Sequence, residues 1–499
     1  MLAQLTNFEA PSVDWWILAP QMILVGGALL ILLLTSLSIR KIPSWVSTLI
    51  AFAAGLATFV VAMFLWYDVQ DHGARSTLAG ALGLDGFSLF FTVLTALGVM
   101  LTTLIGDAYG SRERMAAPEF NALLLCAATG AIVMAAANDL IVMFIGLESL
   151  SIGLYVMAAM HLGRKVAQEA AMKYFILGAF SSAFFLYGIA LVYGATGSTS
   201  LTHIQSATLT LEVRGTPPEL LFVGMALIIV GVAFKVAAAP FHFWAPDVYQ
   251  GAPSPVTGFM ASVAKAAGFA ALLRIFFVAL PGEVTEWAPI FSGLAILTLI
   301  VGAVMAIMQN DVKRMLAFSS VGHAGYVLVA VTTGTAEGLA SALFYLFTYT
   351  FMVIGSFAVI SLIGWNDGHD IGRYEGLARR RPLVALAMTV FILGQAGVPF
   401  TSGFIAKFYV IQAAVDDELY AMAVVAMVAA VVGAFMYLRI VMTMWSRDVE
   451  AVDAPPLAVS WTTGLALFAT VAVTLVYGFI PQSLIGFVRD AVPQLIAGG

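Results

Sequence analysis

The sequence predicts an all-α polytopic membrane protein of about 14 transmembrane helices, with two inverted five-helix repeats, helices 4–8 and 9–13, each containing an interrupted helix. Three observations carry the class. Of 499 residues, 61% are hydrophobic and only 10% are charged, with a mean hydropathy of +0.99. A soluble domain carries about 25% charged residues, so most of this surface must face lipid. Runs of roughly 20 apolar residues, each long enough to cross a ~30 Å hydrocarbon core as a helix, recur along the whole chain. Finally, the runs lack the apolar–polar alternation of barrel strands.

The runs fall near 15–37, 45–67, 84–106, 118–136, 139–160, 169–194, 218–244, 255–280, 288–308, 314–333, 338–363, 382–413, 419–445 and 457–480. They divide the chain into an N-terminal three-helix segment (1–117), a first repeat (118–280), a second repeat (281–445) and a C-terminal helix and tail (446–499). The loops after odd-numbered helices hold Arg40, Lys41, Arg112, Arg114, Arg164, Lys165, Lys313, Arg314, Arg373, Arg379, Arg380, Arg381 and Arg447. The opposite loops hold only Arg75, Arg214 and Arg489. Because Lys and Arg favour the cytoplasmic side, both termini are expected on the periplasmic side of a bacterial-type inner membrane.

The N-terminal MLAQLTNFEAPSVDWW lacks a basic segment, so the first helix is not expected to be a cleavable signal. The single Cys126 argues against an iron–sulfur cluster, a Cys-rich zinc site or an intrachain disulfide. Neither a GxGxxG fingerprint nor a P-loop is present, and the loops are too short for a soluble catalytic domain.

Six cations remain outside the basic loops: Lys173, Lys235, Lys265, Arg274, Lys407 and Arg439. Arg274 and Arg439 lie near helix ends, where a long side chain is expected to reach the headgroups. The four lysines sit within apolar helices. At 1.5 Å per residue, Lys265 is ~15 Å into its helix and Glu148 ~14 Å into the fifth, both near the bilayer midplane; Lys173 is shallower. A charge at that depth costs at least ~2.5–3.5 kcal/mol, and one carboxylate cannot neutralise four lysines. Burial disfavours the charged form of a lysine while a nearby carboxylate favours it. Lysines held between these influences suit a proton relay. A structural Glu–Lys pair is the plainer alternative and leaves lysines over.

Two of the lysines stand beside helix interruptions. In KVAAAPFHFWAPDVYQGAPSPVTGF, Pro240 follows Lys235; in GQAGVPFTSGFIAKFY, Gly397, Pro399 and Gly403 precede Lys407. Proline breaks the helical hydrogen-bond ladder, and unwound backbone at membrane depth survives only inside protein or against a wet cavity. The interrupted helices are the seventh and twelfth, so they cross in opposite directions, as inverted repeats do. An offset of 172 relates Asn138 to Asn310, Gly153 to Gly325 and Lys235 to Lys407. The Pro-Phe pairs at 240 and 399 are offset by 159 and do not follow it.

His323 and His242 are candidates to pass protons through their two ring nitrogens; ordinary packing is the competing reading for each. Ser149, Ser151, Tyr155, Ser181, Thr257 and Ser262 could order water, although helix packing explains each alone. No ligand spacing for a metal is found.

These segments resemble a known family. FIGLESLSIGLY (144–155), the 235–259 motif, NDVKRMLAFSSVGHAGY (310–326) and the Gly/Pro break before Lys407 are similar to the antiporter-like subunits of respiratory complex I and of Mrp-type cation/proton antiporters. The 240–259 segment is most similar to N-type subunits of NADH:quinone oxidoreductase. The resemblance implies a relay of Glu148, Lys235, Lys265 and Lys407, with Lys173 a further lysine and Glu148 paired to Lys235. It also implies no cofactor on this chain, with NADH, FMN, iron–sulfur clusters and quinone on partner subunits. Those partners would be other membrane and peripheral subunits, including further antiporter-like ones, and no nucleic acid. Proton translocation in NADH:quinone oxidoreductase is the function so implied. A cation/proton antiporter, which should carry more membrane carboxylates than Glu148, and a purely scaffolding subunit are the alternatives.

Overall fold

A computed structural model describes residues 13–38, 43–113, 115–209, 218–363, 369–446 and 458–497. Arg40, Lys41, Arg114, Arg214 and Arg447 lie outside these described residues.

Each apolar run forms a helix. The first six are α1 (Ala19–Leu37), α2 (Ser44–His72), α3 (Gly86–Glu113), α4 (Ala117–Ala136), α5 (Leu140–Ala158) and α6 (Lys165–Thr196). They are followed by α7 (Pro218–Val236) and α8 (Ser254–Ala279). After these come α9 (Val284–Ile307), α10 (Val312–Thr332), α11 (Ala336–Ile363), α12 in two pieces (Pro382–Ala396 and Ser402–Asp416), α13 (Tyr420–Trp445) and α14 (Trp461–Phe479). Among the described residues, 13 helices are long and apolar enough to cross a membrane; the divided α12 is the further predicted crossing.

Local chemistry sets the ends. Asp139 caps α5 by accepting from the Ile141 and Val142 amides, and Asp311 caps α10 by accepting from the Arg314 amide. Beside each cap the same antiparallel bridge forms. Leu140 N–H donates to Thr199 O at 2.8 Å and Leu201 N–H to Asn138 O at 2.9 Å; Val312 N–H donates to His369 O at 2.8 Å and Ile371 N–H to Asn310 O at 2.9 Å.

Helix pairs approach closely where side chains vanish. A Cβ on Gly130 of α4 would stand 2.4 Å from the Leu150 nitrogen of α5, and one on Gly302 of α9 2.4 Å from the Gly322 nitrogen of α10. Such contacts let membrane helices gain dispersion energy that lipid cannot match. α8 is buried along its whole length, and α3, α10 and α11 nearly so. The outer helices instead expose Leu29, Phe180, Val431 and Phe468, a surface suited only to lipid or a partner.

Several elements were not expected. A hairpin of β1 (Arg75–Thr77) and β2 (Leu82–Leu84) follows α2. A helix α15 (Gln482–Ala497) occupies the supposed tail, laying Phe487 against Trp66 and Phe90. Its apolar residues Leu484, Phe487, Val488 and Ala491 recur at helical spacing, a signal too short to read as a crossing.

One charge departs from expectation. Arg274 does not reach for headgroups: it is 3% exposed and donates to both Asp85 oxygens at 2.7 and 2.8 Å and to Ala135 O at 2.6 Å. Its position near a helix end suggested snorkelling, but α8 is enclosed and leaves it no route to the interface. Arg439, near the end of α13, donates to Gln309 O at 3.0 Å and Asn310 Oδ1 at 2.6 Å in the loop between α9 and α10.

Candidate functional site

The site is assembled around two helix breaks. α7 ends one residue after Lys235, and the chain turns through Ala237, at φ +56°, before the short helix Trp244–Gly251. α12 ends at Ala396, with Gly397 at φ +87° and Phe400 at φ +72° before it resumes at Ser402. A non-glycine residue in the left-handed region marks each break; such strain of about 1–3 kcal/mol persists only where the surroundings over-determine it. α8 carries a third irregularity, a π-helical turn over Met260–Ala264 directly before Lys265. Turns of this kind widen a helix and recur at functional positions.

Lys235 is 6% exposed, and its Nζ donates to Ser151 Oγ at 2.7 Å. Ser151 Oγ in turn donates to Leu147 O at 2.6 Å. Glu148, one helical turn before Ser151, accepts from Ser182 Oγ instead. The direct Glu148–Lys235 pair implied by the resemblance is absent among the described residues. Ser151 occupies the lysine and Ser182 the carboxylate, with a water-sized space of about 10 Å³ beside Ser151, Ser181, Ser182 and Lys235. The Lys235 stem packs on α8, its Cγ 3.1 Å from where a Cβ on Gly268 would lie.

Lys265, 3% exposed, donates to Ser320 O at 2.7 Å and Ser320 Oγ at 2.6 Å on α10. On the same helix His323 is sandwiched between two phenols. Its Nδ1 lies 2.6 Å from Tyr345 OH and its Nε2 3.0 Å from Tyr437 OH; Tyr437 OH lies 2.5 Å from Ser319 Oγ. A neutral imidazole donates from one nitrogen and accepts at the other, so the pair of phenols can hold either tautomer. Lys407 donates to Ala396 O at 2.9 Å and sits 5.0 Å over the Tyr326 ring. Lys407, His323, Tyr326, Ser319 and Tyr437 share a cavity of about 30 Å³, room for one or two waters.

The fold thus gathers Lys265, His323 and Lys407 around α10 and seats Lys235 with Ser151 against α8. It leaves Lys173 outside this buried set. Lys173 is 43% exposed in its side chain and pairs with Glu169 and Asp247, each at 2.8 Å. His242 is buried beside Phe243 and Phe318 and is not brought to any lysine. Ser262 and Thr257 donate to carbonyls of their own chain segment, while Ser149 is exposed.

Sequence reasoning missed Ser319, Ser320, Tyr345, Tyr437 and Asp85, because hydroxyls are common in membrane helices and nothing in the sequence marks which face each other. It also placed Lys313 in an exposed loop. That residue is 1% exposed and donates to Ala252 O at 2.6 Å, satisfying a carbonyl freed where the chain re-enters α8. Its neighbour Arg314 and the more distant Lys173 clasp Asp247 from two sides, Arg314 at 2.6 Å. Burial pushes the Asp247 carboxyl up, but these two cations outweigh it and hold the group below the usual carboxylate range.

Buried lysines at interruptions of a multi-pass helical bundle mark a membrane subunit of the antiporter-like class. A sequence profile described as NADH:quinone oxidoreductase/Mrp antiporter, transmembrane, matches residues 137–433. NADH-quinone oxidoreductase subunit N of Trichlorobacter lovleyi is 44% identical over 84% of this chain and 85% of its own. Among solved structures, a chain of respiratory complex I from Thermus thermophilus is 34% identical, with a TM-score of 0.79 over 95% of this chain and 100% of that one. A chain of the Mrp complex from Dietzia sp. shares the fold, with a TM-score of 0.85 at 22% identity over 97% of this chain and 98% of that one. The chain belongs to the family of NADH:quinone oxidoreductase and Mrp antiporter transmembrane subunits, on the branch of NADH-quinone oxidoreductase subunit N. It is therefore a membrane subunit of a multi-subunit oxidoreductase. Among the described residues, no group of three His, Cys, Asp or Glu is placed to hold a metal.

Proposed function

We propose that this chain translocates protons through Glu148, Lys235, Lys265, His323 and Lys407, driven by electron transfer from NADH to quinone on partner subunits. The observation that carries the reading is the placement of Lys235, Lys265 and Lys407. All three are at most 7% exposed and lie within membrane-spanning helices. None has a carboxylate within ion-pair distance among the described residues. Each is instead held by a hydroxyl or carbonyl oxygen. Such neutral oxygens can accept from either the ammonium or the amine and favour the charge less than a carboxylate in ion-pair contact would. Protonation then follows the balance of burial and approaching charge, and a change of charge at Glu148, one turn before the Ser151 that holds Lys235, acts on Lys235 through space. Lys173, in its exposed clasp with Asp247, serves the family relay at most from its cytoplasmic margin.

The two bridged caps at Asp139 and Asp311 and the two breaks support the division into repeats 118–280 and 281–445, flanked by 1–117 and 446–499. The loop charges support an inner-membrane orientation with both termini periplasmic. Assembly with further antiporter-like and peripheral subunits follows from the same reading.

The test is proton uptake per NADH oxidised by the purified complex in sealed vesicles. Lys265→Met is expected to lower that ratio while NADH oxidation by the assembled complex persists. An undiminished ratio overturns the role of Lys265, and sodium-dependent exchange without NADH would favour an antiporter instead.

A further inference from the structure

A cavity of about 530 Å³, lined by none of the lysines above, lies between the N-terminal segment and the C-terminal helices and is far larger than the spaces beside those lysines. Its wall runs from Phe52 to Met63 on α2, from Val93 to Leu104 on α3 and from Leu465 to Tyr477 on α14. At 1.5 Å per residue each stripe is ~17 Å long, about half of the ~30 Å hydrocarbon core, and on α2 and α3 it lies midway between the helix ends, open toward the Tyr477 end of α14. Dividing the volume of about 530 Å³ by that length leaves a cross-section of roughly 30 Å². An α-helix with its side chains is about 10–12 Å across and does not fit. One extended hydrocarbon chain does.

The chemistry of the wall agrees with the shape. Its polar side chains are Tyr477 and Ser483, both where α14 passes into α15. Phe59, Leu97 and Val473 are only partly buried by the protein itself, although they face inward between packed helices. An apolar lining left half-covered at membrane depth is satisfied by hydrocarbon.

We propose that this slot holds an acyl chain of a membrane phospholipid, inserted from the leaflet beside α15 with its headgroup near Tyr477 and Ser483. The chain joins α2 and α3 to α14 and to Phe347 and Phe351 of α11 as a wedge and is bound more durably than the surrounding annular lipid.

The experiment uses the intact complex, loaded in membranes with a phosphatidylcholine bearing a photoreactive diazirine on its acyl chain. Annular lipid is washed out with detergent, the sample is irradiated and labelled residues are mapped by mass spectrometry. Labelling of Met63, Leu97 and Met100 is expected to survive washing at least fivefold better than labelling of Val60 and Phe64 on the outer face of α2. Ala469→Trp, which fills the slot, is expected to remove the retained label and leave outer-face labelling before washing unchanged. Equal loss from both faces in the wild-type complex overturns the proposal whether or not the variant assembles. So does retained label in an assembled Ala469→Trp complex.

Discussion

The Lys407 ammonium donates to the carbonyl of Ala396 at 2.9 Å, an oxygen left without an amide because α12 stops at that residue. The helix break and the buried charge are therefore one device: the break presents a last-turn carbonyl, and the lysine satisfies it. Gly397 completes the arrangement, since a Cβ there would stand 2.9 Å from Lys407 Cδ and the backbone lies at φ +87°.

Gly397→Ala should accordingly disturb Lys407 without touching its charge. About 1 kcal/mol or more of left-handed strain adds to the displaced side chain. The expected outcome is an assembled complex whose proton uptake per NADH falls toward that of Lys407→Met. Wild-type uptake in Gly397→Ala would show that the carbonyl contact is dispensable.

Ser151 stands where the family resemblance implies a direct Glu148–Lys235 pair. Ser151→Ala removes the acceptor of the Lys235 ammonium and is expected to reduce pumping severalfold, between wild type and Lys235→Met. Were the carboxylate the true partner, Ser151→Ala would pump normally and Glu148→Gln would match Lys235→Met. Vesicle pumping assays on the three variants separate these outcomes.

Arg274 and Asp85 form an enclosed bidentate pair. Removing one member strands the other charge, typically at about 3–5 kcal/mol. Arg274→Met and Asp85→Leu should each lower the yield and thermal stability of the assembled complex, and the double variant should recover most of the loss. Singles as stable as wild type would contradict the enclosure of the pair.

Asp247 is held below the usual carboxylate range, first against burial and then by Lys173 and Arg314. A depressed carboxylate contributes stability that is fully present above its unfolded pKa, about 3.9, and is lost as pH falls through its folded value. Asp247→Asn should therefore be less stable than wild type at neutral pH, with the difference shrinking below about pH 4. Thermal inactivation measured across that range checks the sign; a constant difference would argue against the clasp.

Of the site, the residues costly to place in lipid were legible, because an apolar helix makes each lysine conspicuous. Lys235, Lys265 and Lys407 are buried where the sequence put them, and the interruptions occur at Pro240 and at the Gly397–Pro399 cluster. Lys173 and Lys313 show the limit. Each lies in the opening turns of its helix, so the direction of one side chain decides between surface and core, and a hydropathy run cannot report that direction. The partners were less legible still. Ser320, Tyr345 and Tyr437 come from α10, α11 and α13, and only the packing of those helices aims their hydroxyls at Lys265 and His323.

The sequence by itself determined the membrane class, the helical crossings, the places where helices break and the charges that lie at depth. Each follows from the energy of moving one residue or one segment between water and lipid, which composition and order contain. Only the tertiary structure decided that Arg274 meets Asp85, that Lys235 meets Ser151 while Glu148 meets Ser182, and that Lys407 shares a cavity with His323. Those relations depend on which faces of separate helices meet, and lipid, as apolar as the helices themselves, leaves that choice to close packing and hydrogen bonds.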